Sequence, residues 1–257
     1  MHGSGFRGAK SPGAIKAFPE FATLRRRART PGMKLVVFDC DGTIVDSQAG
    51  IVLSMEHAFK SLRMVPPTRE ATLAVVGLSL LEACSALAPE AEYATRVELV
   101  ERYKAAFREL NYDPADSEIL FPDARTTIAQ LAASEKYLLG IATGKSRRGI
   151  DRLFDREAWH ASFATIQTAD DHPSKPHPSM LQQAMLETGV APARTVMIGD
   201  TTYDVEMARA AGVRAIGVSW GYHSVAELTD AGAQQIVHCF ADLPAAIDKA
   251  IGVSRAA

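Results

Sequence analysis

Four short segments hold carboxylates, a lysine and a hydroxyl at spacings that could act together on one anionic group. The first is Phe38-Asp39-Cys40-Asp41-Gly42-Thr43. In an extended chain residues two apart point the same way, so Asp39 and Asp41 can face one site while Cys40 faces elsewhere. Gly42 then permits a sharp turn. Taken alone, such a pair reads equally as turn carboxylates or helix caps. The second is Ile141-Ala142-Thr143-Gly144-Lys145-Ser146, an apolar strand running into a turn and a new helix. The Thr143 hydroxyl and the N–H groups beside Gly144 could donate to an anion there, although a plain N-cap turn has the same pattern. The third is Lys175-Pro176-His177-Pro178, where two prolines hold a lysine in a stiff turn, either as a point charge for an anion or as an exposed loop residue. The fourth is Ile198-Gly199-Asp200-Thr201-Thr202-Tyr203-Asp204, with Asp204 on the same face as Asp200 if a helix starts there. Acids brought from separate strands to one point repel unless a cation lies between them. Hard oxygen ligands without His or Cys suggest Mg²⁺.

The elements around these segments follow from apolar periodicity. Runs at 35–38, 138–142, 195–198, 215–218 and 235–237 predict strands buried on both faces. Helical spacing at 124–134, 146–154, 178–188, 202–211, 224–231 and 242–251 alternates with them, which predicts an α/β fold with a doubly wound, Rossmann-like parallel sheet. Residues 48–118 break the alternation, with helical spacing at 49–62, 79–87 and 93–110 and no convincing strand. The expected organisation is a core of 33–47 and 119–257 with an all-helical cap domain of 48–118 inserted after the first strand.

Composition excludes several alternatives. The chain of 257 residues is 47% hydrophobic and 23% charged, ordinary for a globular protein and wrong for a disordered one. A net charge of −2 gives no basic field for bulk nucleic-acid binding, and no apolar run approaches the roughly 18 residues of a membrane span. Cys40, Cys84 and Cys239 lack metal-site or disulfide spacing, so a cytoplasmic, reducing setting is expected. Residues 1–32 carry seven Lys or Arg against Glu20 alone, with scattered Gly and Pro. They read as a disordered basic extension ahead of Met33, and a targeting role is the weaker alternative.

With these motifs together, the sequence resembles the haloacid dehalogenase-like hydrolase superfamily, and within it the phosphoglycolate phosphatase branch. The resemblance rests on Asp39–Thr43, Thr143-Gly144, Lys175-Pro176 and Gly199–Asp204, with Trp220-Gly221-Tyr222 as a weaker cue. It implies a Mg²⁺-dependent phosphatase acting on a small phosphate monoester, 2-phosphoglycolate being the best single candidate. It assigns Asp39 as nucleophile, Asp41 as general acid and base, and Thr143, Gly144 and Lys175 to the phosphate. Asp39, the Asp41 carbonyl and Asp200 would hold the metal, and Asp204 would orient Lys175 or a metal-bound water. The partner implied is a small phosphorylated metabolite, not nucleic acid or membrane, with the protein a monomer or homodimer. Sugar-phosphate phosphatase, nucleotidase, pyrophosphatase and phosphomutase share the chemistry, and a non-catalytic phosphate-binding module is the alternative of another class. Asp123 stands where the family often has Gly after Phe-Pro, and Arg63, Arg69 and Lys104 are basic candidates for binding a carboxylated substrate, each of which reads first as a solvated surface charge.

Overall fold

The computed structural model describes residues 32–110 and 118–252, so the basic segment expected to be disordered lies outside the described residues. Strand β1 (Lys34–Phe38) is the centre of the architecture, and its residues from Leu35 to Phe38 are inaccessible to solvent. Each such apolar side chain contributes about 1.5–3 kcal/mol on burial, which fixes the strand and hence the residues at its end. β1 pairs in parallel with β4 (Tyr137–Thr143) on one side and β6 (Thr195–Gly199) on the other. The parallel sheet has six strands in the order β5-β4-β1-β6-β7-β8, with β5 at Phe163–Thr168, β7 at Arg214–Val218 and β8 at Gln235–Val237.

Alternation along β1 sends Val36 and Phe38 to one face and Leu35 and Val37 to the other. The first face is covered by α5 (Ala124–Ala133), α6 (Arg147–Glu157) and α10 (Leu243–Gly252) through Ile128, Leu131, Leu153, Phe154 and Ile247. The second is covered by α7 (Ser179–Thr188) and α8 (Thr202–Ala210) through Met180, Leu181 and Val205. A further helix, α9 (Val225–Ala231), adds Leu228.

Strand β5 is absent from the sequence expectation. Its burial alternates, and Thr165 and Gln167 bond Glu187 rather than packing as apolar residues, so no continuous apolar run marks this edge strand. Between β1 and β4 the chain forms α1 (Gln48–Ser61), α2 (Arg69–Ala74), α3 (Leu80–Leu87) and α4 (Tyr93–Leu110). Met55, Phe59, Cys84 and Leu99 from these helices form an apolar cluster separate from the two at the sheet. The chain leaves and re-enters the sheet side by side, through the antiparallel pair β2 (Val45–Asp46) and β3 (Ile119–Leu120). At the second crossing Asp123 adopts φ +63°, a left-handed conformation that Asp tolerates better than bulkier residues. Asp123 therefore takes a backbone geometry that a glycine adopts freely.

Candidate active site

The chain runs outward from β1 through β4 to β5, then returns to the other side of β1 for β6 to β8. The reversal puts a crevice at the carboxyl ends of β4, β1 and β6, the usual ligand position in an open α/β sheet. Asp39, Thr143 and Asp200 follow or end those three strands, and all are buried.

Asp39 continues the ladder by donating its N–H to the Ile198 carbonyl at 2.9 Å. Its Oδ1 accepts from Cys40 N–H at 2.7 Å and lies 3.0 Å from Lys175 Nζ, while Oδ2 is buried with no hydrogen-bond partner. Asp200 accepts from the Thr43 hydroxyl at 2.7 Å on Oδ1 and from Tyr222 N–H at 2.9 Å on Oδ2. Asp204 sits in the first turn of α8, where Thr201 is the N-cap and the two residues form a reciprocal capping box. This acid therefore serves as a helix cap and holds the lysine at once, because its Oδ2 takes the Thr201 hydroxyl at 2.8 Å while its Oδ1 takes Lys175 Nζ at 2.6 Å. Lys175 is only 1% exposed, so it is no loop lysine in solvent.

Three carboxylates, from Asp39, Asp200 and Asp204, offer oxygens within 4.8 Å of one another, and one ammonium touches the group. Fully ionised, the cluster carries two uncompensated negative charges in a buried place, which is untenable without a divalent cation or a proton. Burial, opposed by Lys175 and reinforced by Asp204, pushes the Asp39 carboxyl up to about 7. Burial and then the Asp204 and Asp39 charges push Asp200 well above its ordinary range. The orphan Asp39 Oδ2 and the all-oxygen donor set fit a hard divalent ion such as Mg²⁺.

Asp41 is held differently. Its Oδ1 accepts from Ser47 Oγ at 2.7 Å and from Lys145 Nζ at 2.9 Å, and Lys145 lies 2.6 Å from Glu118 Oε1. Burial works against the charged Lys145 side chain, yet the Asp41 and Glu118 charges raise its pKa well above the usual value. Asp39, Asp41, Thr143, Gly144 and Lys145 line one cavity of about 740 Å³, closed on the far side by residues of α1, α3, α4 and the 75–79 loop. The loop is anchored by Ser79 N–H on Ser174 Oγ at 2.8 Å and by Tyr203 OH on the Ala74 carbonyl at 3.0 Å. A Cβ at Gly144 would come within 2.6 Å of the Leu78 carbonyl, so this glycine permits the close approach of the loop.

The sequence-nominated residues Asp39, Lys175, Asp200 and Asp204 thus meet in one cluster, with Asp41, Thr143 and Gly144 lining the adjoining cavity. Of the cationic candidates Lys104 lines the cavity, while Arg69 bonds Gln48. Sequence reasoning missed the support given by Thr43, Ser47, Glu118, Lys145 and the Tyr222 N–H. Thr43, Lys145 and Tyr222 carried a signal, lying inside segments already singled out, whereas Ser47 and Glu118 did not.

The sequence profile of haloacid dehalogenase-like hydrolases matches residues 36–218, a span that includes every member of the carboxylate cluster. The chain belongs to the haloacid dehalogenase-like hydrolase family. Among curated relatives of this hydrolase, probable phosphatase IndB of Dickeya dadantii is 38% identical over 214 residues, covering 81% of this chain and 91% of that one. Phosphoglycolate phosphatase of Pseudomonas putida is 29% identical, with 87% and 83% covered. Among solved structures, a haloacid dehalogenase-like family hydrolase from Streptococcus pneumoniae is 25% identical with a TM-score of 0.72, covering 84% of this chain and 99% of that one. The hydrolase is thus an enzyme whose relatives include proteins named phosphatase, pyrophosphatase and phosphoglycolate phosphatase.

Gly221 gives this site a sensitive point. A Cβ there would meet the Asp200 Cβ at 2.1 Å, where no flexible side-chain end can yield. Gly221→Ala is expected to displace Asp200 and cost about 1–3 kcal/mol in stability. Urea unfolding combined with Mg²⁺ titration checks this: unchanged stability and unchanged ion affinity would contradict it.

Proposed function

We propose that this hydrolase is a Mg²⁺-dependent phosphatase that cleaves a small phosphate monoester through an aspartyl-phosphate on Asp39. The observation that carries this reading is the buried trio of carboxylates around Lys175, two positive charges short, with Asp39 Oδ2 left without a partner. Mg²⁺ held by Asp39, the Asp41 backbone carbonyl and Asp200 would supply those charges and draw electron density from the phosphoryl oxygens.

In this reading an Asp39 oxygen attacks phosphorus as the bond to the leaving oxygen breaks. Asp41, fixed through Oδ1 by Ser47 and Lys145, gives its proton to the departing alkoxide. It then takes a proton from the water that cleaves the acyl phosphate. Lys175 and the Thr143 hydroxyl, with nearby N–H groups, hold phosphoryl oxygens, and Asp204 keeps the Lys175 ammonium in place. The 75–79 loop and α4 screen the reacting groups from water.

The similarity to a phosphoglycolate phosphatase supports 2-phosphoglycolate as the simplest substrate, and relatives named pyrophosphatase PpaX at 29–30% identity support a phosphoanhydride as the second choice. We also place the protein in the cytoplasm, in keeping with its free cysteines and with the lack, among the described residues, of any helix able to cross a membrane.

Hydrolysis of para-nitrophenyl phosphate tests the reaction. Activity should vanish with a chelator and return with Mg²⁺, and chelator-resistant turnover would refute the reading. The pH dependence supplies a second check. Asp39 titrates near 7 without the ion, so a proton and Mg²⁺ compete for it. Calorimetric affinity for Mg²⁺ should fall by at least about tenfold per pH unit below 7.

A further inference from the structure

The wall of the cavity facing Asp39 and Asp41 is apolar and partly aromatic. Helix α4 presents Val100, Tyr103 and Phe107, at spacings of three and four that place them on one helical face, and all three are half-buried. The Tyr103 and Phe107 rings stack on each other, with centroids 5.8 Å apart and planes 27° apart, and Lys145 Nζ lies 5.6 Å from the Phe107 ring centre. Taking about 30 Å³ per water, a cavity of 740 Å³ has room for roughly 25 water volumes. A phosphoryl group with a two-carbon acid would fill only a small part of it.

The charges around the cavity also discriminate. Arg108 of α4 and Arg148 and Arg152 of α6 line it and form no ion pair among the described residues, whereas the acids there beyond the catalytic pair are Glu82 and Asp170. The rim therefore favours anions and disfavours a cationic leaving group.

We infer that the leaving group is a ring-bearing alcohol, neutral or acidic, that packs against Val100, Tyr103 and Phe107. This rests on the phosphatase reading and narrows its substrate class. A rigid ring buries apolar area with little loss of conformational freedom, and contact with the two aromatic side chains adds to simple burial. A two-carbon acid would cover little of the apolar surface of this wall.

The test compares phosphate release by the Mg²⁺-loaded protein from 2-phosphoglycolate, ethyl phosphate, 2-phenylethyl phosphate and uridine 5′-monophosphate. All four leave as primary alkoxides, so differences report the fit of the leaving group. The two ring-bearing esters should exceed the other two by at least about tenfold in kcat/KM. Val100→Phe, which fills part of the cavity, should shrink that ratio by about tenfold. Equal or better turnover of 2-phosphoglycolate overturns the inference, as does a ratio that Val100→Phe leaves unchanged. Release from none of the four, nor from para-nitrophenyl phosphate, overturns the phosphatase reading with it. A reversed order with active enzyme overturns the ring-bearing leaving group alone.

Discussion

Asp39→Asn should lower kcat on any phosphate ester by on the order of 10⁴ or more, because an amide oxygen cannot form the acyl phosphate. The loss should come without unfolding. The neutral amide can still accept from Lys175 and Cys40 through its oxygen, and one of three mutually repelling carboxylates is gone. Without Mg²⁺ at pH 8, the variant is therefore expected to melt at or above the wild-type temperature. Single-turnover phosphate release together with calorimetry decides the matter, and near-normal turnover would remove Asp39 as the nucleophile. Asp41→Asn offers a contrast. It should cost about 10²–10⁴ with an alkyl leaving group and much less with para-nitrophenolate, which leaves without a proton.

Lys175→Met should have the largest effect on stability. The ammonium is inaccessible to solvent and touches both Asp39 and Asp204, and those two charges hold its pKa above the usual lysine value despite the opposing effect of burial. Removing one partner of a buried ion pair costs about 3–5 kcal/mol, since the other charges remain without compensation. In a domain of this size that corresponds to a fall of roughly 6–20 °C in Tm. The loss should depend on pH with a definite sign. The folded protein keeps a proton on Asp39 up to about pH 7, whereas an unfolded aspartate has released it above 3.8. Stability linked to Asp39 is thus present at low pH and is lost as pH rises through that interval. The variant should accordingly be nearest to wild type at pH 5 and furthest from it at pH 8, in chelator. A constant difference across that range would show that the Asp39 and Lys175 charges do not interact as their 3.0 Å separation requires.

Both results bear on how the site is built. Asp39, Asp200 and Asp204 repel one another, so their approach is stable only where the sheet is rigid enough to hold them. The inaccessible residues Leu35 to Phe38 and Val196 to Ile198 provide that rigidity. Gly42 and Gly221 let Thr43 and Tyr222 reach Asp200, because a Cβ at either position would collide with its side chain.

By itself the sequence determined the β1, β4 and β6 strands, the acids at their ends and the helical nature of residues 48–110. Each of these is a local matter: an apolar run buried on both faces, a glycine turn after it, or a spacing of three to four residues. Only the tertiary structure decided which charge meets which. Lys145 reaches back to Asp41 and Glu118, Lys175 to Asp39 and Asp204, and Thr43 to Asp200 across 157 positions. It also decided that α4 turns Val100, Tyr103 and Phe107 toward the cavity, and that Phe163–Thr168 becomes an edge strand because β4 offers it a partner. Such pairings depend on packing between segments far apart in the chain, and no local period or composition encodes that packing.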